Sequence, residues 1–531
     1  MNTSQPSNVG ALLEKAAKNI ALHDQHTKSL AKEPTILVPN VANVLLFAYE
    51  QLRNASENIE DHLLFQRAIL RFYKRNLVFA AHKKPSDLGQ ELVIELTQAE
   101  YLQNSTVTTS QVKVLDKLIN TFYESYWEIK KHHPDISSRK AEEWVLEILS
   151  VKSEQVFNNP IRILSFAHFA HAHFSELVKY EDIIEPDESI NPVDHPTLLY
   201  IAIHKALLKS DDANVRSGLL DLYNLEPSNI RQFIEFNKKY DQLAALTSTA
   251  KLSRLISRNG AALRIIRPTF FDNHDAAREL TLSNRAKTMT MVESQIDEEY
   301  KEVRKNLNKG IVKSIVFLLI TKAIIGLLIE IPYDIIVTGS IIILPLLVNL
   351  LFPPIFIAFT ALTFKLPGKA NKKALTDYIQ HILYKDSSNF PLTLKYAQTV
   401  GRTYVFNTVY FIMFIVAFYL VATRLAALDF NIVQGIIFFI FLSTASFLGY
   451  RLTLQIKELE IVNTNQGFIA LIRDFLYAPF VFVGKRISYR FSQLNLIAQI
   501  LDVAIELPLK TMMKLVRQWM IFLNNKKDEL L

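Results

Sequence analysis

Three histidines fall within the stretch AHFAHAHF, at His168, His171 and His173. Imidazole is the commonest metal ligand, so a metal centre would begin here. On a helix His168 and His171 are neighbours at i,i+3. His173 lies about 200° round the helix from His171, at about 100° per residue. One helix therefore cannot aim all three at one ion, and a centre would need help from Glu176 or His195. The pattern reads first as partly buried or interfacial histidines, with no metal. His274–Asp275 could also begin a metal site, but it sits in the polar seam FFDNHDAAREL and reads as a helix cap.

The second chemical feature is a lysine in an apolar run. Lys322 falls near the middle of VKSIVFLLITKAIIGLLIE, Val312 to Glu330. A helix needs about 20 apolar residues to cross a bilayer, and a central lysine there costs roughly 2.5–3.5 kcal/mol. It must face protein or water. It would line a pathway, or it would pair with Glu330, Asp334 or Asp474. Lys322, Asn349 and Asp474 together form the candidate intramembrane polar site. Lys322→Leu is expected to fold and insert at least as well as the parent, because the desolvation cost disappears.

Other chemistry is absent from the sequence. There is no cysteine, which excludes thiolate metal sites, disulfides and thiol nucleophiles. Glycine is 13 of 531 residues, too few for glycine-rich phosphate loops. No phosphate loop, dinucleotide fingerprint, zinc-protease helix, nucleophile elbow or EF-hand loop is found. No cofactor is expected, and the balance leans against an enzyme.

The elements that position these residues are helical. The chain is 50% hydrophobic and 21% charged, with a mean hydropathy of +0.14. Four runs suit spans: 312–330, 335–364, 404–422 and 433–450. Only IPYD separates the first two and only TRLAALDFN the last two, which predicts two hairpins. Pro345 and the Pro353–Pro354 pair predict a kinked second span that ends near Leu351 and leaves Ile355 to Phe364 at the interface.

Charge orients the spans. Residues 1–310 hold 38 Lys+Arg and 40 Asp+Glu, net −2, and residues 311–531 hold 21 and 12, net +9. A nucleic-acid-binding chain would be basic in its soluble part, so no nucleic acid is expected. Cations instead cluster before the first span and between the hairpins, while the tips carry only Arg424. The positive-inside rule puts both termini in the cytoplasm of a multi-pass protein. Lys369, Lys372 and Lys373 are candidate lipid-headgroup contacts. So are Lys510, Lys514 and Arg517, on a helix predicted over Leu494 to Leu523, whose narrow polar stripe runs from Asn495 to Arg517. Gly467 to Gly484 carries Arg473 and Asp474 at its centre and cationic flanks, so it is expected to lie in the membrane plane or re-enter it.

Residues 1–310 show helical periodicity throughout, with five glycines and no convincing strand. Ser7, Ser86, Ser138 and Pro227–Ser228 mark expected helix starts. The fold class is all-α: a cytoplasmic helical domain over 1–270, a connecting helix over 271–311, a four-span membrane domain over 312–452 and amphipathic membrane-associated helices over 453–531. The leading functional reading is a non-enzymatic membrane protein with a cytoplasmic scaffold or regulatory domain. Its partners are the lipid bilayer and a protein bound to that domain. The alternatives are a small transporter or channel with a polar site near Lys322, and a membrane-bound enzyme acting on lipid.

Overall fold

The computed structural model describes residues 5–30, 33–38, 47, 50, 61–79, 88–182, 190–273, 282–340, 342–362, 364, 366–384, 403–462 and 477–488, and single positions beyond 507. Every extended regular element among them is helical, and only two isolated bridges pair extended backbone. Four helices are long and apolar enough to cross a membrane, which marks a membrane-embedded chain.

In chain order the helices are α1 (Asn8–Leu30), α2 (Leu64–Tyr73), α3 (Leu88–Gln98), α4 (Thr109–His132), α5 (Glu147–Phe157), α6 (Ile161–Leu177), α7 (His195–Ile203), α8 (Asp212–Leu222), α9 (Ile230–Ala245), α10 (Thr247–Asn259), α11 (Ala261–Ile266), α12 (Arg285–Ile325), α13 (Ile331–Thr338), α14 (Ile343–Leu362), α15 (Lys369–Leu383), α16 (Thr403–Ala426) and α17 (Ile432–Lys457). They form two compact units. One is Ala11–Ile256, Phe270–Leu280 and Asn495–Leu531; the other is Met1–Gly10, Ser257–Thr269 and Thr281–Leu494.

In the first unit α5 is central and packs against α2, α4 and α8. Its core gathers Tyr73, Phe122, Tyr126, Trp144, Leu149 and Phe233. Polar side chains close the helix starts. Thr108 and Gln111 form a capping box on α4, Ser137 caps the helical turn at Ser138–Ala141, Asp211 caps α8 and Asn229 caps α9. The caps thus fall one residue from the expected Ser138 and Ser228. Ser86 lies outside the described residues. Two sets of buried polar groups pair here: Arg216 donates to Asn237 at 2.9 Å and to Asp241 at 2.6 Å, and Tyr73 bonds Ser153 at 2.6 Å.

In the second unit the apolar helices α12, α14 and α17 pack against one another. Leu318, Ile357, Ile437, Phe441 and Ala445 form their shared core. The predicted first hairpin tip is wrong. IPYD is helical, and a single 53-residue helix with an apolar stretch runs from Arg285 to Val337 with a π-helical turn at Gly326–Glu330. Pro332 falls in the first turn of α13, where a proline is tolerated. The chain turns at Gly339 instead, whose φ of 71° suits a residue without Cβ.

The second span does not end near Leu351 either. α14 continues through Pro353 and Pro354 to Leu362, and both prolines are buried in the helix. Each lacks an N–H, so the carbonyls of Asn349 and Leu350 have no i+4 donor, but packing on both sides holds the helix together.

Two side chains close the intracompact ends. Arg264 donates to the carbonyls of Ser257 at 2.9 Å and Glu458 at 3.1 Å. Asn371 on α15 donates to the Leu459 carbonyl at 2.8 Å and accepts from Ile461 N–H at 2.8 Å, just beyond α17. Residues 477–488 are helical and pack on α17: Tyr477 donates to the Ser446 carbonyl, and a Cβ at Gly484 would fall 2.0 Å from the Ser443 oxygen. Residues 467–476, including Arg473 and Asp474, lie outside the described residues.

Candidate functional site

The second unit contains a buried polar core. α12 carries Lys322, the π-helical turn carries Glu330 and α13 carries Asp334. α14 supplies Asn349, and the start of α17 supplies Asn431 and Gln434. Lys322 is 1% exposed, and Glu330, Asp334, Asn349 and Gln434 are 0% exposed. Among apolar helices such groups persist only if they bond to one another.

The bonds form a chain across three helices. Lys322 donates to Glu330 Oε1. Asn349 Nδ2 donates to the same oxygen at 2.9 Å and to the Gln434 carbonyl at 3.2 Å. Gln434 Nε2 donates to both Asp334 oxygens, at 3.1 and 2.9 Å. Asn431 Nδ2 adds a bond to Asp334 Oδ1 at 2.7 Å. Asn431 and Gln434 also form the capping box of α17, so one pair of amides starts that helix and holds the acid. The Lys322 ammonium lies 4.8 Å from the centroid of the Phe441 ring, a cation–π contact in dry surroundings.

Two acceptors of this core have no hydrogen-bond partner among the described residues: Glu330 Oε2 and Asn349 Oδ1. They flank the Asn349–Glu330 hydrogen bond. A buried acceptor without a donor costs about 1–3 kcal/mol, so each of these two atoms is a cost carried by the core.

The structure thus brings Lys322 and Asn349 together through Glu330, while Asp474 lies outside the described residues. Gln434 and Asn431 were not visible as site residues from sequence. The Asn-x-x-Gln pattern ahead of an apolar run was the available signal, because it is also a capping box.

The histidines do not converge. His168 is exposed, His171 is half-buried with Nε2 3.2 Å from the Pro196 carbonyl, and His173 is buried against the Phe174 ring. No group of three metal-ligating side chains is assembled among the described residues. His204, which begins a π-helical turn, is buried with Nδ1 3.1 Å from Ser210 Oγ, and burial, with a smaller push from His168, lowers its pKa to about 3.

Of the cationic candidates, Lys369 and Lys373 are exposed on α15 and Lys372 is paired with Asp297 at 2.8 Å. Lys510, Lys514 and Arg517 lie outside the described residues. In the first unit a groove of about 420 Å³ runs along α9, lined by Arg231, Ile234, Glu235, Lys238, Lys239 and Gln242. Comparison with protein-family models, curated proteins and solved structures finds no match to this chain.

Proposed function

We propose that this chain is a non-enzymatic, multi-pass membrane protein whose N-terminal helices act as a cytoplasmic scaffold or regulatory module. The observation that carries this reading is the closure of the polar core. Lys322, Glu330, Asp334, Asn349 and Gln434 are at most 1% exposed, and each bonds to another of the set. Polar groups used in this way tie α12, α13, α14 and α17 into one bundle. The groove along α9 is then the place for a protein partner. Ile234 offers an apolar floor and Arg231, Lys238 and Lys239 line it, which suits a segment with an apolar anchor and flanking acids. Lys238 and Lys239 already hold Asp135 and Asp194, which keeps their ammonium groups in place.

The test is a photo-crosslinking residue at Gln242 in the full-length protein in its native membrane. A single protein adduct is expected, lost when Arg231→Glu and Lys238→Glu reverse the groove's charge. No adduct, together with solute flux in reconstituted vesicles, would replace this reading with a transporter.

That second reading has one observation of its own. Glu330 Oε2 and Asn349 Oδ1 are acceptors within the spans with no partner among the described residues, as at a site that takes a ligand. Ion flux abolished by both Lys322→Met and Asn349→Leu would support it.

A further inference from the structure

We propose that the end of the bundle where α12 enters and α17 leaves is a binding surface for anionic phospholipid headgroups. It is built on Lys305, Lys309 and Lys313 of α12 and on Lys369 and Lys373 of α15. Such a surface needs the apolar helices to lie in a membrane. It does not need the N-terminal helices to be a scaffold.

Packing sets these lysines near one level. Leu307 of α12 packs with Leu452 and Ile456 of α17, and Leu366, three residues before α15, packs against that cluster. Asn371 donates to the Tyr300 hydroxyl at 2.9 Å and Lys372 pairs with Asp297, so the first turn of α15 lies beside this part of α12. Lys305 and Lys309 are each two residues from Leu307, about 200° round the helix, and so turn away from α17. Past Lys313 the outward side chains of α12 are apolar: Val316, Phe317, Ile320 and Ile324 are exposed. On a spanning helix that face meets acyl chains. Lys309 and Lys313 differ by about 6 Å in depth, at about 1.5 Å per residue. One headgroup layer is about that thick, half the difference between about 40–45 Å and about 30 Å.

The charge at this level is one-sided. From Asp297 to Arg304 acids and bases mix, as on an ordinary solvated face. Beyond Glu302 the next acid is Glu330, α14 and α17 carry none, and the first after α14 is Asp377. Acids close by are already engaged: Asp297 holds Lys372, and Glu458 lies 3.6 Å from Arg264. Lys372 is therefore left out of the surface. The five lysines are exposed and enter no ion pair among the described residues. At the other end of the bundle the turns hold one cation, Arg424. Exposed ammonium groups at headgroup depth, with no acid to answer them, are complementary to lipid phosphate.

The experiment uses the full-length protein in phosphatidylcholine vesicles with a trace of spin-labelled phosphatidylglycerol or spin-labelled phosphatidylcholine. Electron spin resonance reads the fraction of label held at the protein surface. A several-fold preference for phosphatidylglycerol is expected, and it should fade in about 1 M salt, where the Debye length is about 3 Å. Changing all five lysines to glutamine should abolish the preference, and Arg424→Gln should keep it. Equal retention of the two lipids by the parent overturns the proposal. A preference that survives the salt does so too, and both results are read on the parent, whatever a variant's folding. A preference undiminished in the five-lysine variant, or lost equally in Arg424→Gln, places the selectivity elsewhere and also overturns it.

Discussion

Lys322 and Glu330 are bonded at a spacing of eight residues. In a regular α-helix eight residues turn about 800°, which leaves the two side chains about 80° apart. The π-helical turn at Gly326–Glu330 takes up one extra residue, so the pair returns to one face about two turns apart. A local backbone irregularity therefore decides which residue the lysine meets.

That pairing reverses the expectation for Lys322→Leu. With the carboxylate of Glu330 at 0% exposure, removing the lysine strands a buried charge. Lys322→Leu is expected to cost about 3–5 kcal/mol, and Glu330→Leu a similar amount. The double variant should be much milder, since two apolar side chains then meet in an apolar bundle. Thermal unfolding of the detergent-solubilised protein measures all three. Additive losses would show that the two side chains do not interact.

Asn371 is the second sensitive position. It is 5% exposed and serves backbone groups on both sides of the chain leaving α17: the Leu459 carbonyl at 2.8 Å and the N–H groups of Ile461 and Val462 at 2.8 and 3.1 Å. Asn371→Leu has a similar volume but neither donor nor acceptor. Each buried group left without a partner costs about 1–3 kcal/mol, so the loss should exceed that of the milder Asn371→Asp, which keeps the acceptor. Limited proteolysis near residue 460 reports it. Equal cleavage of both variants and the parent would mean that this contact does not hold the segment.

The helical class and the four apolar runs were legible, because composition and period survive any tertiary detail. Leu328, 71% exposed, stands two residues from Glu330 at 0%. Apolar outside and charged inside is the signature of a lipid-facing helix, and the sequence alone shows only that both residues occur in one run. What was not legible was phase. IPYD reads as a turn by composition, yet Pro332 suits a first helical turn, and only Gly339 provides the left-handed turn. The same shift explains the site. Glu330, read as the end of a span, and Asp334, read as part of the tip, are inside the helix, and their amide partners come from later helices, Asn349 for Glu330 and Gln434 for Asp334.

The N-terminal unit should show opposing pH responses. Burial, aided by Asp211, raises Glu154 to about 7 from an ordinary 4.5. Between those values the folded state binds more protons than the unfolded one, so stability falls as pH rises from about 4.5 to about 7. His204 is the reverse. Burial holds it at about 3 against an ordinary 6.5, so the unfolded state binds the extra proton and stability is lost as pH falls below about 6.5. Denaturant titrations across pH should therefore flatten at the acid end in His204→Gln and at the neutral end in Glu154→Gln. A His204→Gln curve parallel to the parent's below pH 6 would mean that the buried imidazole does not shape the acid response.

Orientation is the remaining expectation, and the chain lends itself to the test because it contains no cysteine. Residues 339–342 include no Lys or Arg, and the end of α16 carries only Arg424. Lys301, Arg304, Lys305 and Lys309 precede the first apolar stretch, and Lys369, Lys372 and Lys373 lie on α15 between the hairpins. Cations resist translocation, so both turns should face away from the cytoplasm and α15 toward it. Single cysteines at Ser340 and Ala427 are expected to react with a membrane-impermeant maleimide added to intact cells. Cysteines at Lys369 and Lys373 should react only after the membrane is opened. A tip cysteine that stays silent while Lys373→Cys labels in intact cells would invert the topology. It would also put the α9 groove on the wrong side for a cytoplasmic partner, so this labelling pattern bears on the scaffold reading as directly as on the fold.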